Sequence, residues 1–172
     1  TPSNSSAASD VYKRQLQYRI TNVYYTLDNM TDKIRRYDMK YISFAIPCYN
    51  SEAYMEKAIN SILIGGEDVE ILIVNDGSKD GTQEIAERYE AQYPTIVKAI
   101  QKENGGHGDA VNCGLSHATG KYFKVVDSDD WVDESSLFKI LETVKTFVKE
   151  DTLVDMVISN SVSYTHLTLP TN

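Results

Sequence analysis

From residue 41 onward, short apolar runs alternate with segments whose apolar residues recur at helical spacing. Five runs are rich in β-branched or aromatic residues and predict strands, at 41–46, 69–74, 96–100, 122–126 and 154–158. Four segments carry apolar residues three or four positions apart and predict helices, at 51–63, 82–93, 109–118 and 134–149. This alternation favours right-handed crossovers and a doubly wound, mainly parallel α/β sheet.

Proline, glycine and polar residues mark the predicted element boundaries. Pro47 is expected to stop the first strand, because proline lacks the N–H that a strand ladder uses. Asn50 or Ser51 is expected to cap the first helix, and Gly65-Gly66 to end it. The remaining polar stretches are therefore interpreted as loops.

The loops that follow the first four predicted strands are polar or glycine-rich. They occupy 47–50, 75–82, 104–108 and 127–130. In an open parallel sheet the carboxyl ends of the strands lie at one edge, and ligands bind there. Glycines in such loops allow a ligand to approach the backbone closely. Four loops of this kind on one edge predict a nucleotide pocket.

The last of these loops reads Asp127-Ser128-Asp129-Asp130. Clustered carboxylates repel one another unless water, hydrogen bonds or a cation compensates, and a divalent metal that holds a substrate phosphate is a common solution. The alternative is a solvated acidic turn that caps the helix beginning near Asp133. The other loops favour the first interpretation, since they place Asp76 and an aromatic side chain, Tyr49, at the same edge.

Composition excludes several classes of function. The chain has 25 acidic and 17 basic residues and a net charge of -8, whereas a general nucleic-acid binder needs clustered Lys and Arg. No apolar run approaches the roughly 20 residues that span a bilayer. Cys48 and Cys113 lack metal-type spacing, and reduced thiols in the cytoplasm are expected.

Four motifs lie in a fixed order along the chain: IPCYNSE at 46–52, VNDGSKDGT at 74–82, NGG at 104–106 with NCG at 112–114, and DSDDW at 127–131. Together they resemble the amino-terminal half of family 2 glycosyltransferases of the GT-A fold. The resemblance covers residues from Tyr41 to about Ile158. It implies sugar transfer from a nucleotide-sugar donor, usually a UDP-sugar, with Mn²⁺ or Mg²⁺ as cofactor, to a glycan, lipid or protein acceptor that the motifs do not identify.

The resemblance also implies roles for individual residues. Pro47, Tyr49 and Glu52 would line the nucleoside, Asp76 would bind the uracil, Asp127 the ribose and Asp129 the metal. Two departures from the usual pattern concern donor choice: Asn75 replaces an acidic residue, and His107-Gly108-Asp109 stands where other small or polar residues are common. His107 is assigned no catalytic role.

The family pattern places the catalytic base beyond the end of this chain. In an inverting member, a carboxylate deprotonates the acceptor hydroxyl, which then attacks the anomeric carbon as the nucleoside diphosphate leaves. The chain is therefore expected to be a C-terminally truncated and inactive fragment. Any association with the inner face of the cell membrane is expected to require the missing sequence.

The two ends of the chain are expected to lack function. Residues 5–15 read SSAASDVYKRQ and residues 162–171 read VSYTHLTLPT. One DNA string that resembles a transposase-type sequencing adapter encodes the first peptide, and its reverse complement encodes the second. We therefore interpret 1–15 and 161–172 as adapter-derived segments that contribute to neither the fold nor the function.

The remaining chain divides at Met39, which immediately precedes the first strong strand and is the expected true start. Residues 16–38 are then a leader, the alternative being an amphipathic N-terminal helix. Residues 39–160 are interpreted as the nucleotide-sugar-binding half of a glycosyltransferase domain.

Two other classes of protein compete with this interpretation. An EF-hand-like calcium loop at 76–87 would use five residues, Asp76, Ser78, Asp80, Gly81 and Glu87. A strand instead of a helix precedes that loop, and Gln83 occupies a position that is usually aliphatic.

A non-catalytic nucleotide-binding α/β domain is the second alternative, and its dinucleotide-binding form is disfavoured because no G-x-G-x-x-G follows the first strand.

Overall fold

The computed structural model describes residues 39–157, and strands and helices alternate through this range. In chain order they are β1 (Ile42–Cys48), α1 (Met55–Leu63), β2 (Val69–Asp76), α2 (Thr82–Gln92), β3 (Val97–Lys102), α3 (His107–His117), β4 (Tyr122–Val125) and α4 (Glu134–Lys149). A short 3₁₀ turn, Gly66–Asp68, links α1 to β2. The predicted α/β class is confirmed.

The strands form one parallel sheet in the order β3-β2-β1-β4. Every residue of β1 is buried, and seven of the eight residues of β2 are buried. Both strands lie inside the sheet with helices on its faces, which explains why they read as nearly continuous apolar runs rather than as alternating ones.

Helices cover both faces of the sheet. α1, α2 and α4 pack on one face around a core that includes Ile46, Ile73 and Leu137. α3 covers the opposite face, over Leu72 and Val74. Successive residues of β2 alternate between the two cores, as the two-residue period of a strand requires. The sheet is therefore doubly wound, as the alternation of elements predicts.

β1 does not stop at Pro47, as the sequence suggested, but continues to Cys48. Pro47 lies opposite Val74 in the ladder with β2. The missing N–H costs nothing there, because Pro47 has the same orientation as Ala45, whose carbonyl accepts from Val126 N on the β4 side. The pairing of β1 with β4 ends at Ala45, so Pro47 has no partner strand on that side.

α1 begins at Met55 rather than at residue 51. Its N-cap is Tyr54, which makes no side-chain capping hydrogen bond. The two expected caps are used elsewhere: Asn50 has a positive φ of 51°, and the buried Ser51 donates its N–H to Thr82 Oγ1 at 2.8 Å. The polar residues after β1 therefore tie loops together instead of starting the helix.

The predicted fifth strand is wrong for 154–157, which lie in irregular backbone, while Ile158 falls outside the described residues. The Val154 carbonyl accepts a hydrogen bond from the Tyr122 hydroxyl at 2.9 Å, and Met156 is 73% exposed. An apolar run becomes a strand only when a neighbouring strand pairs with it.

The segments 1–15, 16–38 and 161–172, for which the sequence predicts adapter translation and a leader, lie outside the described residues. Within 39–157, no helix is long and apolar enough to cross a membrane.

Candidate functional site

A cavity of about 490 Å³ opens at the carboxyl edge of the sheet. Five of the six residues to which the sequence assigns donor or metal contacts line it, namely Pro47, Tyr49, Asp76, Asp127 and Asp129. They come from the ends of β1 and β2 and from the loop after β4, which are brought together because all three strands run parallel. The sixth, Glu52, does not line the cavity.

Hydrogen bonds between loops hold the edge of the cavity together. The Asn50 side-chain carbonyl accepts from Lys79 N, and Asn50 N donates to Ser78 Oγ, both at 2.9 Å. The hydroxyls of Ser51 and Ser128 share a hydrogen bond of 2.9 Å. The loops after β1, β2 and β4 are therefore fixed to one another by polar contacts.

Asp76 ends β2 and is 3% exposed. Its Oδ1 accepts from Lys102 Nζ at 2.6 Å and from Gly105 N at 2.8 Å, and its Oδ2 accepts from Gly106 N at 2.7 Å. Burial by itself would raise the pKa of Asp76, but these hydrogen bonds outweigh it and hold the pKa below its ordinary value. Asp76 is therefore a buried, ionised acceptor at the cavity.

Glu52 turns away from the cavity to the loop between β2 and α2. Its Oε2 accepts from Gly81 N at 2.6 Å, and its own N–H donates to Asp80 Oδ2 at 3.1 Å. Burial raises the pKa of Asp80, whereas hydrogen bonds from Thr82 and from the Glu52 N–H lower it further than burial raises it. A Cβ at Gly81 would lie 2.8 Å from Glu52 Oε2, so a larger residue there would shift this carboxylate.

Asp127 and Asp129 lie in the turn after β4, in which Asp130 N donates to the Asp127 carbonyl at 3.0 Å. The Asp127 side chain is 54% exposed, and its Oδ1 lies 3.8 Å from His107 Nε2. Carboxylate oxygens suit Mg²⁺ and Mn²⁺. Among residues 39–157, no three His, Cys, Asp or Glu side chains cluster closely enough to hold a metal. Asp127 and Asp129 could each offer a carboxylate oxygen to such a cation.

The structure adds residues to the cavity that the sequence analysis did not assign to it, among them Tyr54, Asn104 and His107. The glycine-rich motif marked the segment of Asn104 but gave no role to its side chain. Nothing in the sequence distinguished Tyr54 from a residue of α1. His107 was expected in a loop, and it is instead the first residue of α3.

Cys48 also lines the cavity, as a buried thiol. Burial raises the pKa of its thiol to about 12, with Asp80 adding to the rise and the hydrogen bond with Ser51 opposing it. Because the thiolate is the reactive form, this burial disfavours nucleophilic chemistry at Cys48.

The calcium-loop alternative at 76–87 is wrong. Asp76 pairs with Lys102, Asp80 Oδ1 accepts from the Thr82 hydroxyl at 2.6 Å, and Glu87 lies on α2, where it accepts from Gln83. An EF-hand loop directs these carboxylates to one cation, whereas here each has a different protein partner.

The chain resembles known proteins through most of the described range. The sequence model described as Glycosyl transferase family 2 matches residues 43–166. The minor teichoic acid biosynthesis protein GgaB of Bacillus subtilis is 37% identical over 115 residues, which are 65% of this chain and 12% of GgaB. The uncharacterised glycosyltransferase RP339 of Rickettsia prowazekii is 44% identical over 90 residues, which are 52% of this chain and 27% of that protein. The chain thus spans less than a third of either relative.

Solved structures give the same result. TarS residues 1–349 of S. aureus align with a TM-score of 0.53 at 31% identity, over 64% of this chain and 32% of that one. The complex of this TarS fragment with UDP-GlcNAc aligns equally well. The mannosyltransferase PcManGT of Pyrobaculum calidifontis, in complex with GDP-Man and Mn²⁺, has a TM-score of 0.53 at 23% identity and so shows the shared fold alone. The family match reaches into 161–166, whose adapter origin stays a prediction.

Proposed function

The chain belongs to glycosyl transferase family 2, and from this premise we propose that its cavity binds the nucleoside diphosphate part of a UDP-sugar. The observation that carries the proposal is the convergence of Pro47, Tyr49, Asp76, Asp127 and Asp129 on one cavity. The likeness to TarS, solved with UDP-GlcNAc and 31% identical to this chain, supports UDP as the nucleotide.

The base end of the donor is proposed to lie against Asp76. As an ionised acceptor, Asp76 suits the N–H of a uracil imide. Tyr49 is 49% exposed at the edge of the cavity and offers its ring to the nucleoside, beside Pro47. Glu52 is proposed to act indirectly, without touching the donor, since its hydrogen bond from Gly81 N holds the loop after β2 in place.

The ribose and diphosphate are proposed to lie toward Asp127 and Asp129. The Asp127 side chain lines the cavity and is about half exposed, so its carboxylate can accept a hydrogen bond from a ribose hydroxyl. Gly106 and His107 bring the N-terminus of α3 to the same cavity. The free N–H groups and the positive dipole end of a helix favour phosphate, so α3 is proposed to stabilise the diphosphate.

Asp129 is proposed as the protein ligand of a divalent cation, with Asp127 near it and donor phosphate oxygens completing the coordination. Bound there, Mn²⁺ or Mg²⁺ would offset the negative charge of the diphosphate leaving group. Asp129 is exposed, so a cation can bind it without displacing a protein partner found in 39–157.

Sugar transfer is proposed as the activity of the whole protein and not of this segment. The relatives it matches are several times longer than the matched segment. No residue in 39–157 is assigned as the base that deprotonates the acceptor. The 172-residue chain alone is proposed to bind the donor nucleotide without sustained turnover.

Two measurements test this function. Titration calorimetry of the chain with UDP should show binding that Mn²⁺ strengthens, whereas the absence of binding under both conditions would overturn the proposed site. UDP release from UDP-sugars, assayed with Mn²⁺ and a panel of acceptors, should stay at background. Sustained acceptor-dependent release by this chain would overturn the proposed inactivity while supporting the donor site.

A further inference from the structure

An ion pair between a buried carboxylate and a partly exposed ammonium lies beside the part of the cavity that is proposed to hold the base. Lys102 is the last residue of β3 and lies opposite Asp76 in the parallel ladder of β2 and β3. Its Nζ lies 2.6 Å from Asp76 Oδ1, and the two side chains are 18% and 4% exposed. Hydrogen bonds between an ammonium and a carboxylate are stronger than those between neutral groups.

The ammonium of Lys102 is held by more than Asp76. Nζ also lies 2.6 Å from Asp109 Oδ2 in the first turn of α3, and it donates to the Glu103 carbonyl. The hydrogen bonds with Asp109 and Asp76 raise the pKa of Lys102 above its ordinary value. With three acceptors for three N–H groups, the ammonium is fixed in one position. Lys102 therefore connects the ends of β2 and β3 to the start of α3.

These contacts fix the carboxylate of Asp76 as well. A carboxylate has about four acceptor positions, two on each oxygen. Lys102 and Gly105 use both positions on Oδ1, and Gly106 uses one on Oδ2. Within 39–157, these bonds leave one position on Oδ2 for a ligand, and Asp76 is part of the cavity lining.

The position that remains can accept an N–H but cannot donate. Uracil and cytosine differ at this point, because N3 of uracil carries a hydrogen whereas N3 of cytosine is an acceptor. Without the Lys102 charge, a buried carboxylate favours rotation or protonation, and a protonated carboxyl group donates a hydrogen bond. By keeping Asp76 ionised and oriented, the charge of Lys102 thus favours a base that donates a hydrogen bond from its ring N3.

We propose that Lys102 is a positioning residue that sets base selectivity by holding Asp76 as an oriented acceptor for the ring N3–H of a uracil base. This inference rests on the proposed function of the cavity as a nucleotide-sugar site. Lys102 acts through Asp76, so its role differs from that of a residue that contacts the donor.

The test compares UDP with CDP by titration calorimetry in the presence of Mg²⁺, because the two nucleotides share the diphosphate and differ in the base. The wild-type chain should prefer UDP. Lys102→Met should lose roughly tenfold in UDP affinity, as for one charge-assisted hydrogen bond, and its UDP-to-CDP affinity ratio should fall toward one. Lys102→Arg, which keeps the charge, should restore much of the ratio.

The matched control is Lys98→Met, which removes the same charge from an exposed position on β3. It should keep the wild-type ratio. Should Lys102→Met fail to fold, as judged by circular dichroism, Asp109→Asn replaces it, since it weakens the hold on the ammonium at a half-exposed side chain. Asp109→Asn should lower the UDP-to-CDP ratio in the same direction, by a smaller factor.

An unchanged ratio in folded Lys102→Met, or in Asp109→Asn when it stands in for that variant, would overturn the inference. Equal losses of affinity for UDP and CDP leave the ratio unchanged, and they would indicate a general structural defect. Failure of the wild-type chain to bind either nucleotide would overturn the proposed function and this inference together. If the wild-type chain prefers UDP and the Lys102 substitution leaves the UDP-to-CDP ratio unchanged, the proposed function stands and only this inference is overturned.

Discussion

The carboxylates around the cavity occupy opposite environments. Asp76 is buried and accepts three hydrogen bonds from the protein, whereas Asp127 and Asp129 are exposed in a turn. A buried, satisfied carboxylate suits a fixed hydrogen bond to a base, and an exposed one suits an exchangeable cation. Their substitution should therefore change nucleotide binding in different ways.

Asp129→Asn should abolish the Mn²⁺ enhancement of UDP binding and leave uridine binding unchanged. Asp76→Asn should weaken the binding of both uridine and UDP, with or without Mn²⁺, because it removes a charged acceptor. The loss of such a hydrogen bond costs about 1–3 kcal/mol, which is roughly tenfold to hundredfold in affinity. Titration calorimetry measures both effects. Asp130→Asn is the control for charge, since Asp130 does not line the cavity. Identical losses in the Asp76 and Asp129 variants would contradict the two roles.

At the scale of elements, the cavity depends on how closely α3 approaches the sheet. Gly114 faces the sheet from α3, and a Cβ built there would lie 2.7 Å from the Cβ of Ala45 and 3.5 Å from Val74 Cγ2. The N-terminus of the same helix brings His107 to the cavity. The packing of one glycine therefore sets the position of a helix that contributes to the site.

Gly114→Ala should destabilise the chain by about 1–3 kcal/mol, the usual cost of overpacking, less the gain of up to about 1 kcal/mol that alanine gives in a helix. Urea unfolding measures this change. Gly108→Ala is the matched control in the same helix, because no atom lies within 4 Å of a Cβ built there. Gly108→Ala should be neutral or stabilising. Equal stability changes in the two variants would contradict close packing at Gly114.

At the scale of the whole molecule, acidic groups dominate, with a net charge of -8. Within residues 39–157, interactions in the folded state lower the pKa of five carboxyl groups, those of Glu56, Glu67, Asp76, Asp80 and Asp133. For Glu56 the main cause is the hydrogen bond from Arg88, and for Glu67 it is the hydrogen bond from Lys40. A group whose pKa is lower in the folded state stabilises the fold while it stays ionised.

Stability should therefore fall in acid. Above the ordinary carboxyl pKa values of about 3.8 for Asp and 4.5 for Glu, the contribution of these groups is complete. As pH falls through those values the unfolded chain takes up protons first, so the free energy of unfolding decreases and continues to decrease until the folded groups are protonated. Urea midpoints measured at pH 7, 5, 4 and 3 should drop mainly below pH 5. A midpoint that stays constant or rises from pH 5 to pH 3 would contradict this expectation.

The sequence by itself determined the fold class and most of the cavity. Apolar periodicity is a local property, so the alternation of strands and helices and the bounds of α4 follow from it. The carboxyl ends of parallel strands share one edge, so the positions of Asp76, Asp127 and Asp129 on that edge also follow.

Only the tertiary structure decided features that depend on partners distant in the chain. Pro47 remains in β1 because β4 ends before it, and 154–157 form no strand despite an apolar pattern. Glu52 leaves the cavity because the Gly81 N–H, 29 residues away, binds its carboxylate. Asp76 meets Lys102 across 26 residues through the register of β2 and β3. Periodicity carries no information on such pairings, because the sheet register and the loop contacts set them only once the chain is folded.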